Sequence, residues 1–316
     1  MENLIFGPVP SRRLGKSLGV NNIPHKICSY SCVYCQIGKA EKIQHQRMGY
    51  YDPDLILRQI ERKLKQLNTE DYPDYITIVP DGEPTLDLQL NVLVQKLKTF
   101  GIPVAVITNS SLINDESVQE ALFNANYLSF KVDSVINDSW KKINKPHKSL
   151  KLESILLGIE QFATRYQGIL ATESMLIKGI NDNSNEIGLL ANFIETIHPT
   201  VAYIAIPTRP TAFDHIIGAD EFSVAYAYHV FKEKNIKVEH LTGYEGNAFA
   251  SSGNFTADIL SITAVHPMRK DAVLALLAKT NETEEALNRL IEQQLIQKLE
   301  FNDQDYYLRK FNKKKN

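Results

Sequence analysis

Three cysteines, Cys28, Cys32 and Cys35, are the only ones in the chain, and all lie within one eight-residue window. Their spacing, Cys-x3-Cys-x2-Cys, brings three sulfurs close enough to ligate three corners of a cubane iron–sulfur cluster while the fourth iron stays open to a small molecule. Two other readings compete. One is a zinc site completed by a distant histidine, His25 being nearest, although zinc more often uses paired Cys-x2–4-Cys knuckles. The other is three unrelated buried thiols. An odd number of cysteines in one window argues against a disulfide framework and fits a reducing compartment with a thiolate-bound metal.

Such a loop needs a scaffold, and the rest of the sequence supplies a recognisable one. Apolar runs of strand length at 75–79, 104–108, 127–132, 169–177 and 201–206, with 237–240 as a weaker candidate, alternate with amphipathic helical stretches. In 52–67 the apolar residues Leu55, Ile56, Ile60, Leu64 and Leu67 form the stripe of a helix with one buried face. Similar stripes run through 88–100, 115–123, 152–166, 185–197 and 221–234. Strand then helix, repeated, means a parallel sheet. An open doubly wound sheet and a barrel both satisfy the pattern, and both put the active site at the carboxyl ends of the strands.

Residues 241–254, with Gly243, Gly246 and Gly253, read as a loop-rich closure of a first domain spanning 1–255. Beyond it, helix formers at 269–278, a turn at Thr280 to Thr283, a second helix at 284–295 and a hairpin at 298–308 around Asn302-Asp303 outline a winged helix-turn-helix-like module over 261–316. The tail Lys313–Asn316 is expected to be solvated. With 316 residues, 43% hydrophobic and 23% charged, the chain can bury a large core. Its net charge of −2 carries no whole-chain nucleic-acid footprint, so any basic surface must be local. No stretch approaches the roughly 20 apolar residues of a membrane span, and the opening residues have neither the basic region nor the apolar core of a secretion signal. No membrane partner is expected, and the cytoplasm is the expected address.

Tyr34, directly before Cys35, turns the motif into Cys-x3-Cys-x-aromatic-Cys. With the Gly-Pro-Val-Pro-Ser-Arg-Arg segment at 7–13 and Cys32-Val33-Tyr34-Cys35-Gln36, the chain resembles the radical S-adenosylmethionine (SAM) superfamily, in the branch related to the wyosine-forming tRNA enzyme. The resemblance extends from about residue 6 through 262–268. It implies an α/β fold, a partial (β/α)6 TIM-like barrel, with a [4Fe–4S] cluster on Cys28, Cys32 and Cys35 in the loop after the first strand and SAM across the strand ends. It also implies an external electron donor such as flavodoxin or ferredoxin.

Further residues take expected roles from this resemblance. Asp81-Gly82-Glu83-Pro84 follows the second strand, where relatives have a Gly-Gly-Glu-like motif that holds the SAM amino group; Asp81 stands where glycine is commoner, and Glu83 can accept charge-assisted bonds from an ammonium. Gly82, Glu83 and Pro84 are therefore cofactor-binding candidates. So are Asn109 and Ser110 in Thr108-Asn109-Ser110-Ser111, suited to ribose hydroxyls or a carboxylate, with a helix cap as the alternative. Asp133, after the fourth strand, matches a Lys/Ser-x-Asp position together with Lys131; a structural ion pair is the alternative. Asn181 and Asp182 are expected to cap the following helix, with Lys178 or Glu173 facing the cavity. Arg12 and Arg13 are candidates for an anionic group, Arg209 belongs to the rim by the strand-end rule, and His266 reads as hinge packing.

The implied chemistry is reductive cleavage of SAM to methionine and a 5′-deoxyadenosyl radical that takes a hydrogen from a substrate, the protein orienting and shielding the reaction. The substrate is expected to be RNA or a protein or peptide, reached through the C-terminal module. The wyosine reaction itself calls for a second cysteine set, and the chain has none to spare. From another class comes an iron–sulfur sensor binding DNA through a winged helix; the polar strand ends argue against it, because a sensor needs no SAM site.

Overall fold

Most strands and the helices that follow them condense on one large sheet whose two faces differ in chemistry. The computed structural model describes residues 3–243 and 246–310. An N-terminal hairpin, β1 (Ile5–Ser11) and β2 (Gly15–Val20), leads to two short strands, β3 (Ile27–Cys28) and β4 (Lys42–Ile43), which pair with each other. The main sheet continues with β5 (Tyr75–Ile78), β6 (Val104–Thr108), β7 (Tyr127–Lys131), β8 (Ile169–Met175), β9 (Val201–Ala205) and β10 (Val238–Leu241). Its order is β1-β2-β5-β6-β7-β8-β9-β10, antiparallel between β1 and β2 and parallel from β2 onward. The sheet curls into an open half-barrel.

Helices cover one face: α1 (Pro53–Gln66), α2 (Leu90–Leu97), α3 (Glu116–Phe123), α4 (Asn137–Asn144), α5 (Leu152–Ala163), α6 (Ser184–Ile197) and α7 (Glu221–Glu233). The first starts where the sequence says it should, with Asp52 accepting from the Asp54 backbone N–H and Pro53 at the first helical position. Strand alternation sends Leu128 and Phe130 of β7 into the helix-side core with Leu122 and Phe162. The opposite face of the sheet carries Ala105, Tyr127, Ala171 and Tyr203, and a buried Ser17–Thr77 hydroxyl pair at 2.7 Å. Small and polar side chains there leave room that a fully apolar barrel would fill.

The sequence pattern indicates six strands, the weak candidate at 237–240 among them, and the structure has seven parallel ones, because that candidate is the strand β10 and the N-terminal strand β2 joins the six. It also adds β1, hidden in the sequence by Pro8 and Pro10. Prolines are tolerated there because β1 is an edge strand with a register shift between Phe6 and Val9. After the sheet come α8 (Phe255–Ile262), β11 (Met268–Arg269), α9 (Lys270–Lys279), α10 (Glu284–Glu292), β12 (Ile296–Phe301) and β13 (Gln304–Arg309), the three strands ordered β11-β13-β12. The hairpin turns on Asn302 and Asp303, whose φ values of 49° and 57° are those of a two-residue primed turn. Lys313–Asn316 lies outside the described residues. Among the described residues no helix is long and apolar enough to cross a membrane.

One apolar cluster joins the two parts: Phe6 and Val9 of β1 pack with Phe255, Ile259, Ile262 and Met268. Phe6 lies over Gly19, where an added Cβ would come within 2.0 Å of the ring. Phe6→Ala is expected to lower the unfolding free energy by about 3–5 kcal/mol, read as a drop in the urea midpoint.

Candidate functional site

A cavity of about 280 Å³ opens beside the carboxyl ends of β2, β5 and β6, bordered by Cys28, Cys32 and Cys35 together with Gly82. Lys26, Asp81, Arg13, Arg209 and His266 supply its polar and charged walls. The cluster loop is tied down along its length. Lys26 N–H donates to the Asp81 carbonyl (2.9 Å) and Glu83 N–H to the Ile27 carbonyl (3.1 Å), so the turn after β5 runs beside the start of the loop. Gly82 permits this approach: a Cβ there would stand 2.0 Å from the Ile27 carbonyl oxygen and 2.7 Å from Ile23 Cδ1. Val33 N–H donates to the Ile143 carbonyl (2.8 Å), fixing the loop's far side to α4.

The sulfurs meet donors. Cys28 Sγ accepts from the Tyr30 N–H (3.5 Å) and Asn109 Nδ2 (3.6 Å), and Cys32 Sγ from Asn144 Nδ2 (3.4 Å). Burial raises all three thiol pKa values, with Cys32 pushed up to about 12 by burial and then by the charge of Asp133. Coordination of a thiol to a metal releases its proton, and these donors would then stabilise sulfur bearing negative charge. Among the described residues no three His, Cys, Asp or Glu side chains are gathered tightly enough to hold a single ion. The three thiols border one cavity, and in an iron–sulfur cluster each would bind a different iron. His25, the alternative zinc ligand, has its Nδ1 on Asp81 Oδ2.

The residues expected at SAM fall into two groups. Gly82 lines the cavity; Glu83, Pro84, Asn109, Ser110 and Asp133 are not among its lining residues. Glu83 is 1% exposed. Its Oε1 accepts from Thr85 N–H (3.0 Å), Thr85 Oγ1 (2.6 Å) and Thr108 Oγ1 (2.6 Å), and its Oε2 from Asn109 N–H (2.8 Å). Burial raises its pKa, and these bonds oppose the shift. Pro84 opens the buried 3₁₀ turn Pro84–Leu86 that Glu83 caps. Asn109 Nδ2 also donates to Ser29 Oγ (2.8 Å). Ser110 has φ of 63°, and its buried Oγ has no hydrogen-bond partner among the described residues.

Asp133 binds the third cysteine's neighbourhood: its Oδ2 accepts from Tyr34 Oη and from Asn144 Nδ2 (2.6 Å), its Oδ1 from Met175 N–H (2.9 Å). The aromatic residue of the motif is thereby anchored at both ends, since Lys131 Nζ lies 4.7 Å from the Tyr34 ring centre. Lys131 also pairs with Glu173 (2.9 Å), which in turn pairs with Arg13. Burial lowers the pKa of both Lys131 and Arg13. At the rim Arg209 Nη1 donates to Gln36 Oε1 (2.6 Å), its Nη2 meets His266 Nε2 (2.9 Å), and Gln36 Nε2 donates to the Val265 carbonyl (2.9 Å). Sequence reasoning missed Asn144 and Gln36, whose amides signal nothing outside their tertiary setting. It also misassigned a cap: Asn183, not Asn181 or Asp182, caps α6, while Asn181 bonds the carbonyls of Asp133 (2.6 Å) and Met175 (2.9 Å). Asp182 instead accepts from the Gly179 N–H (2.9 Å).

A half-barrel with three cysteines in the loop beyond its first parallel strand defines a class of enzyme. The sequence model of the Radical SAM superfamily matches residues 22–191, and the chain belongs to that superfamily. It is a radical SAM enzyme with a [4Fe–4S] cluster and SAM as cofactors. Over 309 residues it is 42% identical to a UPF0026 protein of Methanocaldococcus jannaschii, covering 97% of this chain and 96% of that relative. In fold it is similar to TYW1 with a lysine–pyruvate adduct bound, with a TM-score of 0.53 at 15% identity over 70% of this chain and 75% of that one. It is also similar to Streptococcus suis SuiB bound to its precursor peptide SuiA, with a TM-score of 0.52 at 14% identity over 70% and 48% of the two chains.

Two substitutions test the loop's supports. Gly82→Ala forces the Ile27 backbone away and is expected to cut iron bound per chain after reconstitution by more than half, measured by iron and sulfide analysis. Glu83→Gln sets an amide N–H against the donors that now share its two oxygens, and is expected to cost about 1–3 kcal/mol of stability by chemical denaturation.

Proposed function

We propose that this enzyme modifies a protein or peptide, which the C-terminal module brings to the cluster cavity. The observation that carries this is the contribution of Val265 and His266, at the start of that module, to the cavity wall. Whatever the module grips is held beside the reacting centre. The order α8-β11-α9-α10-β12-β13 supports a winged helix-turn-helix, a fold that binds peptides as well as nucleic acids. The surface chemistry favours a peptide. Helix α10, the second helix of the helix-turn-helix, offers Glu284, Glu285 and Glu292 against Arg289, and a helix so charged repels phosphate and suits a basic segment.

The bound cluster and SAM supply the family's one-electron chemistry, reductive cleavage of SAM and hydrogen-atom abstraction. The chain's own residues do the rest. Asn109, Asn144 and the Tyr30 N–H steady the cysteine sulfurs, and the charged chain Asp133–Lys131–Glu173–Arg13 leads from beneath Tyr34 to the cavity wall. Arg209, held by Gln36 and His266, is positioned at the rim to meet an anionic group such as a carboxylate.

Under anaerobic reconstitution and dithionite reduction, the wild type is expected to release 5′-deoxyadenosine from SAM and Cys32→Ala to fall to background. A loaded, reducible cluster that left SAM intact would count against this chemistry. A peptide substrate further predicts no tight association with a pool of tRNA at physiological salt; nanomolar, salt-dependent binding lost on Glu284-side truncation of the module would favour RNA instead.

A further inference from the structure

We propose that the lysine-rich surface at residues 141–151, extended by Lys39, is the docking face for an acidic one-electron carrier protein that reduces the cluster. Five lysines, Lys141, Lys142, Lys145, Lys148 and Lys151, and no acidic residue fall in this stretch of a chain whose net charge is −2. All five are exposed. Such a concentration stands out against a remainder in which acidic residues outnumber basic ones, and its nearest acidic neighbours in sequence, Asp138 and Glu153, lie outside it.

The position of the stretch gives the charge a purpose. It packs directly on the cluster loop: Ser31 N–H donates to the Asn144 carbonyl (3.0 Å), Val33 N–H to the Ile143 carbonyl (2.8 Å) and His147 N–H to the Ser29 carbonyl (2.8 Å). Asn144 also donates to Cys32 Sγ at 3.4 Å, so one residue of the lysine-rich stretch touches a cluster-ligating sulfur. Lys39, from the cluster loop, and Lys145 both lie over the Phe213 ring, 4.3 and 5.3 Å from its centre. That shared ring draws two cations together and makes the basic face continuous from the loop to the end of α4.

None of residues 141–151 lines the cavity. A substrate must enter the cavity to react, whereas an electron has only to reach the cluster. An occupant of this face is thus well placed to pass an electron through the Asn144–Cys32 contact and poorly placed to deliver a substrate. RNA would also be attracted by lysines, but single-stranded RNA is gripped by stacking on free aromatic faces, and the ring here is taken up by two lysines. An acidic protein needs only the charge, which steers encounter and orients the pair. In the transfer the carrier is oxidised by one electron and the cluster is reduced by one, with no bond made or broken. The inference rests on the superfamily's cluster and on its need for a reductant, not on the identity of the substrate.

The test compares wild type with Lys141→Glu/Lys142→Glu/Lys148→Glu, and with Lys65→Glu/Lys98→Glu/Lys237→Glu as a control of equal charge change elsewhere. The probe is a purified acidic flavodoxin. Binding of the oxidised flavodoxin to the reconstituted enzyme, followed by calorimetry at low and high salt, is expected to weaken at least tenfold in the first variant, with a shallower salt dependence, and to be unchanged in the control. Flavodoxin-driven 5′-deoxyadenosine release at subsaturating carrier should fall by a similar factor, while iron content and the dithionite-driven rate stay at wild-type values. The single variant Lys148→Glu, on an exposed loop, gives the same direction at smaller size should the triple variant load iron poorly. Equal flavodoxin affinity in all three proteins would overturn the proposal, as would a variant that keeps flavodoxin binding but loses tRNA binding. The calorimetry needs no turnover, so absence of SAM cleavage with dithionite would count against the enzyme chemistry and leave the docking result to be read by itself.

Discussion

The close approach of two backbones, at Gly82 and Ile27, is the contact on which the site depends. A side chain at Gly82 would occupy the space of the Ile27 carbonyl oxygen. Because it has none, the turn after β5 and the start of the cluster loop run side by side, joined by hydrogen bonds on either side of the glycine. Cys28 follows Ile27 directly, so the first cysteine takes its place from the sheet rather than from the loop alone. A loop without this seam would pay conformational entropy at every residue between β2 and α1 to hold three thiols around one cavity.

Behind that seam lies a set of buried polar side chains whose common property is satisfaction. Glu83 fills both oxygens with donors from two strand ends, and Asp133 does the same with Tyr34, Asn144 and the Met175 backbone. Burying carboxylates this way is stabilising only when the bonds offset the lost hydration, and the donors here come from more than one element for each carboxylate. The consequence is rigidity: strands β5, β6, β7 and β8 cannot shift at their carboxyl ends without breaking bonds that reach the cysteines. Rigid placement of ligands by a second layer is what a redox centre requires, and Cys28 and Cys32 have such a layer behind them.

The cavity also borrows walls from both ends of the chain. Phe6 and Val9 of the edge strand, and Val265 and His266 beyond α8, meet over the loop because one apolar cluster binds the N-terminal hairpin to the C-terminal helices. Arg209 and Gln36 then connect rim to rim through hydrogen bonds to His266 and Val265. A module attached in this way shares the cavity instead of hanging from it, whereas the lysine-rich flank lies outside the cavity.

Much of this was legible in the sequence. Local spacing determined the cysteine motif with its aromatic neighbour, and hydrophobic periodicity determined the alternation of strands and helices, since both depend on residues near one another in the chain. The Asn302-Asp303 turn was equally local. The edge strand β1 was not, because its prolines suppress the strand signal and only pairing with β2 makes it a strand. Nor were the roles of Asn144, Gln36 and Asn181, which look like any surface amide until the fold sets them against a sulfur, an arginine and a strand-end carbonyl. Glu83 carries the same lesson: the sequence marks it as a carboxylate in a turn, where Thr85 is its local partner, and only the packing of β5 against β6 adds the Thr108 hydroxyl and the Asn109 backbone amide. Sequence by itself determined which groups are present and how the chain locally bends; the tertiary structure decided what each group faces, because burial and hydrogen-bond partners are set by segments tens to hundreds of residues apart.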